Sequence, residues 1–590
     1  MSQTKAELLD GKSASVNLKN PATADNSTMN LVLQTGETDI AADDVIGKIS
    51  FQAPDEGTGT DAILVAAGIQ ATSEGDFSSS ANATKLEFMT GASEAATTKM
   101  TISSAGAVTI GATGTANTLG GIPFYRDAND SIYTHDVSGT QSTAEANTSY
   151  GVGALDAITT GDANTAIGNG TLSGNTTGAN NIAIGKAAIN AADAESHNIA
   201  IGLNSMSGSV NGGEYNVAIG NYTCDALTTA DYTIAIGHQA ASGLTTGGRN
   251  VVIGYQAMAD GTVDGTSSVY IGYHAGKAAT SADSNVIIGH RTGQAITTQT
   301  NAVMIGEGAG LDKTTGDHVI FIGQNAGKDH DTESENIFIG DEAGAGPIAG
   351  GEYNVAIGNN TLDALTSGDF NTIVGYNSGT AVTTGGNNTC MGRDSGAAIV
   401  GGSLNTCIGH DAGGAITSGS NNICIGPDAG HSGSPGGAIS TGSNNLILGD
   451  ENISASNVQT DWTVASDQRD KTDFTALDIG LDFVNDLKPY TYKWDKRIKY
   501  VSDADRKSID LDTITHDGTH KEDWLDIGFK AQEVEVLEKA AGYKIADKTN
   551  LTTSLTGDGK QYGIKYSNFV PILVKAVQEL SAKVKALEDA

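Results

Sequence analysis

The middle of the chain alternates apolar and polar positions in units of 17 or 18 residues. A typical unit reads Asn–(Val/Ile/Thr)–Ala–Ile–Gly and continues into a polar loop rich in glycine and threonine. The segment Asn164–Ile189, for example, contains NTAIG and then NIAIG. A unit this short cannot hold a pair of helices, but it can hold one coil of a β-solenoid, with short strands joined by turns. The pattern therefore predicts a stack of such coils.

The glycine that closes each unit marks its phase, and every step between these glycines except the last is 17 or 18 residues long. The eighteen marker glycines are Gly151, Gly168, Gly185, Gly202, Gly220, Gly237, Gly254, Gly272, Gly289, Gly306, Gly323, Gly340, Gly358, Gly375, Gly392, Gly409, Gly426 and Gly449. Coils stack at the spacing of neighbouring strands, so the sequence predicts a rod on the order of 85 Å long.

Three successive columns of the motif are apolar. Because side chains alternate faces along a strand, the isoleucine before the marker glycine and the residue two positions earlier share one face. We assign this face to the interior of the coil and the column between them, which includes Ala166 and Phe338, to the opposite face. A coil encloses only one face, so the second apolar face requires a partner, most simply other copies of the same chain.

Both ends of the chain depart from the repeat. Short alternating strands are predicted in IGKISFQAP, ATKLEFMTG and TKMTISSAGAVTIG, the last with a turn at Ser104–Gly106. After Asn452 glycine becomes scarcer, and Trp, Tyr, Lys and Asp return. The predicted parts are an N-terminal segment at 1–20, a β-rich region at 21–146, the shaft at 147–452, a linker at 453–465, and a C-terminal domain at 466–590 with a coiled coil from about 566.

The 590 residues carry a net charge of −36, which disfavours binding to nucleic acid or anionic lipid. The N-terminus lacks a secretory apolar core, and no run of eighteen apolar residues predicts a membrane span. Synthesis in a cytoplasm is therefore expected.

No cofactor or metal site is predicted. Cys390, Cys407 and Cys424 form a 17-residue ladder that is interpreted as small buried side chains. His516 and His520, four residues apart, are interpreted as part of a solvated loop.

Four blocks in the C-terminal region occur in a fixed order: VASDQRDKTDF, LDFVNDLKPYTYKW, IGFKAQEVE and YGIKYSNFVPILVKAVQELSAKVKALE. Together they resemble the intramolecular chaperone auto-processing domain of phage tailspikes, tail fibres and endosialidases. The resemblance implies a domain that assembles as a trimer, guides folding of the preceding β-rich part, and then cuts itself off. It implies Ser466 as nucleophile, Lys471 as its helper, Asp467 as a supporting residue, and cleavage between Ala465 and Ser466.

The residues themselves are compatible with this chemistry, because a serine hydroxyl needs a nearby base and a desolvated lysine can act as one. The alternative is that SDQRDK is a polar loop in which Ser466 caps a helix. In the last block, apolar residues at 3-4-3-4-3 spacing predict a coiled coil, with a lone amphipathic helix packed on its own domain as the alternative. These residues are Val570, Leu573, Val577, Leu580, Val584 and Leu587.

The repeat resembles the β-roll heads of trimeric autotransporter adhesins and the shafts of phage tail fibres. The predicted fold is mainly β: an elongated homotrimeric β-roll or β-solenoid shaft, a β-rich N-terminal region, and a C-terminal α+β chaperone domain.

The predicted function is that of a phage tail fibre, located in the virion, which attaches to the tail, baseplate or an adaptor through its N-terminus. It would bind a glycan or protein receptor on the host surface. The only enzymatic activity expected is self-cleavage. A tailspike depolymerase with the same chaperone domain is the alternative, and a bacterial adhesin is disfavoured because neither a signal peptide nor a C-terminal membrane strand set is evident. Exposed receptor candidates are the loop Gly243–Asn250 and the aromatic residues Tyr255, Tyr270 and Tyr273.

Overall fold

The computed structural model describes residues 31–52, 65–91, 95–110, 143–459, 462–502, 510–556 and 559–590, together with the backbone of three short strands between 117 and 133. The predicted tail-attachment segment 1–20 lies outside the described residues. The chain divides into two units, Met1–Gly139 and Thr140–Ala590.

The first unit contains an antiparallel meander in which each strand pairs with the next along the chain. Its strands are β1 (Val45–Gln52), β2 (Val65–Ser73), β3 (Thr84–Thr90), β4 (Thr97–Ile102) and β5 (Val108–Ile110). The strands β6 (Asn117–Leu119), β7 (Ile122–Arg126) and β8 (Ile132–Tyr133) follow, and among these β7 pairs antiparallel with both β6 and β8. The strands predicted in the three alternating segments are therefore confirmed, as is the turn at Ser104–Gly106, where Gly106 adopts a φ of +80°. Strand β2 was not predicted from the sequence.

The second unit begins with a β-solenoid in which strands of three residues pair in parallel, each in register with the next. Every strand ends immediately before a marker glycine, which confirms the predicted period. The strands β9 to β26 are Thr148–Tyr150, Thr165–Ile167, Ile182–Ile184, Ile199–Ile201, Val217–Ile219, Ile234–Ile236, Val251–Ile253, Val269–Ile271, Val286–Ile288, Val303–Ile305, Ile320–Ile322, Ile337–Ile339, Val355–Ile357, Thr372–Val374, Thr389–Met391, Thr406–Ile408, Ile423–Ile425 and Leu446–Leu448.

The two faces of these strands are the reverse of those assigned from the sequence. The middle residue of each solenoid strand, such as Ala166, points into the coil and is buried, whereas its neighbours Thr165 and Ile167 point outward. Ile167 is 38% exposed and Ala166 is 0% exposed. The sequence-based assignment was wrong because both faces are apolar, so alternation alone could not identify the inner one. The expectation that a single coil leaves one apolar face uncovered nevertheless holds, for the outward columns.

Most coils fill their interior with a large and a small side chain six residues apart. Where the middle strand residue is small, as in Ala166, the partner is large, as in Leu172. Where the middle residue is large, as in Phe338, the partner is Gly344, and a Cβ atom added there would lie 2.4 Å from the phenylalanine ring. This exchange of volume within a coil keeps the interior filled while the period stays constant.

Buried asparagines preceding the strands form a second ladder along the shaft. The Asn164 side chain donates from Nδ2 to the Gly178 carbonyl at 2.8 Å, and its Oδ1 accepts from the Asn181 backbone at 3.0 Å. The marker glycines stack directly on one another, and a Cβ atom on Gly185 would lie 2.3 Å from the carbonyl oxygen of Gly202. Gly185 has a φ of +131°, so both space and backbone conformation require glycine there.

The C-terminal domain follows the shaft, and its described residues pack three α-helices and two small sheets around an apolar core. Its core residues include Ile479, Phe483, Val534, Phe569 and Ile572. The helices are α1 (Leu481–Asp486), α2 (Ala531–Ala540) and α3 (Phe569–Glu588). The strands pair antiparallel as β27 (Tyr490–Tyr492) with β28 (Asp526–Gly528) and β29 (Thr553–Leu555) with β30 (Tyr562–Ile564). Within the described residues, no helix has the length and apolarity needed to cross a membrane.

Candidate functional site

The structure brings together the two side chains that the sequence motif singles out. A single 3₁₀ turn, Gln468–Asp470, lies between Ser466 and Lys471 and folds the lysine back toward the serine. The Lys471 ammonium group donates a hydrogen bond to the Ser466 hydroxyl oxygen, with Nζ and Oγ 2.5 Å apart. This is the contact that a serine nucleophile and a lysine base require.

Asp467 supports this turn rather than touching the pair. Its carboxylate accepts a hydrogen bond from the Arg469 backbone at 2.8 Å and one from the Arg469 guanidinium at 2.6 Å. These hydrogen bonds, from the side chain first and the backbone second, hold the pKa of Asp467 below its usual range. Asp467 therefore caps the turn whose far end carries Lys471.

The surroundings of the pair are open in the single chain. Residues 462–476 are exposed throughout, including Val464 and Trp462, whose apolar side chains cover no part of their own chain's core. A lysine accepts a proton only in its neutral form, which desolvation favours. In the single chain, Ser466 and Lys471 are therefore in contact, but the lysine remains exposed to solvent.

The C-terminal domain docks on the last coil of the shaft. The Gln561 side-chain amide donates to the Ser432 carbonyl at 2.5 Å, and the Lys496 ammonium donates to the Glu451 carbonyl. Ile498 packs so closely on Gly433 that a Cβ atom there would lie 2.4 Å from its side chain. A cavity of about 760 Å³ lies at this junction, lined by residues of both parts, including Trp494.

Helix α3 presents two apolar faces. Phe569, Ile572 and Ala576 are buried against the helix's own domain. The predicted heptad residues point away from that core and are between 45% and 78% exposed; they are Val570, Leu573, Val577, Leu580, Val584 and Leu587. The helix therefore packs on its domain and still leaves the heptad face uncovered.

The receptor candidates fall into two groups. Tyr255 and Tyr273 lie on the outer surface of the shaft and are about half exposed. Their rings stack with centroids 5.4 Å apart. Tyr270, which was also predicted to be exposed, is wrong as a candidate because it is the middle residue of its strand and is fully buried. In the loop Gly243–Asn250, Thr246 and Arg249 are exposed and the remaining residues are at least partly covered.

The cysteine ladder and the histidine pair are placed as the sequence suggested. Cys390, Cys407 and Cys424 are fully buried, and hydrogen bonding between neighbouring thiols, together with burial, raises the pKa values of Cys407 and Cys424. His516 and His520 flank the ring of Tyr500, at centroid distances of 5.8 and 4.7 Å. Among the residues that the structure describes, no group of three or more His, Cys, Asp or Glu side chains is arranged to hold a metal ion.

Fold and site together define a β-solenoid shaft that is followed by a small α+β domain carrying a Ser–Lys pair near its start. Comparison with known families agrees with this description: a family model described as chaperone of endosialidase matches residues 466–543. The match begins at Ser466, the predicted nucleophile. No curated protein and no solved structure gives a significant match to the chain.

Proposed function

We propose that this protein is a homotrimeric phage tail fibre whose C-terminal chaperone domain drives assembly and then removes itself. The observation that carries the proposal is the outward apolar stripe of the shaft. Eighteen strands each present two outward side chains, most of them Val, Ile or Thr. At ~50 Å² each, the stripe amounts to on the order of 2,000 Å², several times the largest apolar patch of a typical monomer.

Copies of the same chain are the partner that fits this stripe. Its length equals that of the shaft, and its nearly uniform columns match those of a second and third copy aligned in parallel. The heptad face of α3 is also uncovered in the single chain, so the C-terminal domain, like the shaft, has an apolar surface that other copies would cover. In the assembled fibre, the N-terminus would attach to the tail, and exposed positions such as Tyr255 and Tyr273 remain candidates for binding a host-surface glycan or protein.

Self-cleavage would proceed by attack of Ser466 on the preceding carbonyl. As Lys471 takes the hydroxyl proton, Oγ bonds to the carbonyl carbon of Ala465, the C–N bond breaks, and the nitrogen receives a proton and becomes the amino group of Ser466. Water then hydrolyses the resulting ester, which gives a carboxylate at Ala465 and restores the serine hydroxyl. Neighbouring copies would supply the desolvation that the single chain lacks.

Two measurements test these proposals separately. Sedimentation equilibrium of the purified full chain should give three times the monomer mass of 60.0 kDa if it is uncut, and a monomer at micromolar concentration would refute the stripe as an interface. A denaturing gel should show fragments of 465 and 125 residues, and an intact chain would refute cleavage in this protein. Release of reducing sugar from host envelope polysaccharide would favour the depolymerase alternative instead.

A further inference from the structure

The column of polar residues that precedes the solenoid strands, most of them asparagine, is interrupted at two consecutive coils. The residue that precedes each solenoid strand is Asn, Thr or Ser in every coil except those beginning at Ala302 and Val319. In the regular coils, the asparagine donates to the carbonyl fourteen or fifteen residues further on, as Asn354 does to Gly368 at 2.9 Å. At Val319 this donor is missing, and the carbonyl that it would serve is that of Glu333.

A lysine occupies the place of the missing donor. Lys313 is fully buried and donates from Nζ to the Glu333 carbonyl at 2.5 Å. It stands seven residues after its marker glycine, an interior position that is aliphatic in most coils, as at Ile296 and Ile399. In the next coil the same position is His330, whose ring packs beside the stacked rings of Phe321 and Phe338 at centroid distances of 5.1 and 5.2 Å.

An earlier part of the shaft provides an internal comparison. Glu195 and Glu333 are 138 residues apart, and their carboxylates accept equivalent backbone hydrogen bonds, Glu195 from Gly212 at 2.7 Å and Glu333 from Gly350 at 3.0 Å. In the earlier segment, Asn181 donates to the Glu195 carbonyl at 2.8 Å. The positions equivalent to Lys313, Val319 and His330 are occupied there by Asn175, Asn181 and Ala192.

We propose that Lys313 replaces the missing asparagine donor, so that a buried ammonium group bridges the interrupted ladder in the middle of the shaft. The physical reason is that a buried carbonyl without a donor is costly, and a lysine that reaches it from the coil interior removes that cost. The ionisable groups that surround this ammonium group are Asp317, His330, Asp331, Glu333 and Glu352.

Exchange of the two donors in the full chain tests this proposal. Lys313→Met should lower the melting temperature measured by circular dichroism by several degrees, and adding Val319→Asn should recover at least half of the loss. In the earlier segment, Asn181→Val should lower the melting temperature, and adding Asn175→Lys should recover it in the same way. Val319→Asn alone is the control for the substitution itself.

Recovery in either segment supports the proposal, because a purely packing role for Lys313 predicts no rescue by a new amide six residues away. The proposal is overturned if Lys313→Met leaves the melting temperature unchanged, or if neither second substitution restores it. Amide hydrogen exchange gives a local readout: faster exchange should be confined to the coils that contain Val319 and Glu333.

Discussion

Replacing a large–small pair of interior side chains by a small–large pair should preserve the packing of a coil, whereas either substitution alone should disrupt it. Phe338 and Gly344 form a large–small pair, and the following coil carries the opposite pair, Ala356 and Leu362. Phe338→Ala alone should destabilise by about 3–5 kcal/mol, because it leaves a cavity and removes the ring stacked on Phe321 at a centroid distance of 5.3 Å.

Gly344→Leu alone should also destabilise. Its Cβ atom would lie 2.4 Å from the Phe338 ring, which forces a shift of packed atoms. A non-glycine residue at a φ of +59° adds about 1–2 kcal/mol. With overpacking of about 1–3 kcal/mol, the single substitution should cost several kcal/mol in total. The double variant copies the Ala356–Leu362 coil, where leucine adopts a φ of +52°, so only the backbone cost of about 1–2 kcal/mol should remain.

The coupling free energy between the two sites should therefore exceed ~3 kcal/mol. Thermal unfolding of the full chain, followed by circular dichroism, should rank the double variant between the wild type and both single variants. Gly396→Leu is the matched control, because Gly396 contacts Cys390 three coils further on, and its effect should add to that of Phe338→Ala. A double variant that melts no higher than the less stable single variant would refute the pairing of volumes within one coil.

Three further predictions concern cleavage, association and pH. Ser466→Ala and Lys471→Met should each leave one full-length band on a denaturing gel without loss of the folded shaft; cleavage in either variant would contradict its assigned role. Replacing the outward Ile236 and Ile253 by Lys should dissociate the assembly in sedimentation experiments, whereas the same change to Thr should be tolerated; an unchanged mass for the lysine variant would exclude this part of the stripe from the interface. Burial lowers the pKa of Lys313 from its usual 10.5 to about 8, so the folded chain binds fewer protons than the unfolded chain between these values. Stability relative to Lys313→Met should therefore rise by ~3 kcal/mol as the pH increases from 8 to 10.5, and a flat difference in unfolding free energy would contradict burial of the ammonium group.

The sequence predicts those features that local geometry determines. The period and the strand positions follow from the marker glycine, since each stacks on the next too closely to admit a Cβ atom. The contact between Ser466 and Lys471 is also local, because one short turn joins residues five apart. The desolvation that the proposed cleavage requires is not local, because residues 464–476 are exposed in the single chain and their sequence does not indicate a surface that would cover them.

Alternation of side chains could not identify the inner face of the shaft, but a second pattern in the sequence could have done so. Both faces are apolar, but only residues inside one coil compete for volume. In most coils the middle residue is large where the residue six positions later is small, and the reverse, as Ala166 with Leu172 and Phe338 with Gly344. The outward columns show no such exchange. This covariation within one chain was available in the sequence and identifies the middle column as interior. The same comparison of coils exposes Lys313 as an exception that coincides with a missing asparagine.

The contrast between a varied interior and a uniform exterior bears on how copies would align. Interior pairs differ from coil to coil, but they face only their own chain. The outward columns are mostly Val, Ile and Thr throughout, so an axial shift of one coil, about 4.8 Å, would keep nearly every outward contact between copies. Alignment must then come from a part of the chain without this repeat. The C-terminal domain meets that requirement, because it contacts the last coil through Gln561 and Lys496 while α3 carries its own uncovered heptad face. In the proposed trimer, a chain that lacked this domain would therefore still associate through the outward columns but would lose the contacts that fix its register.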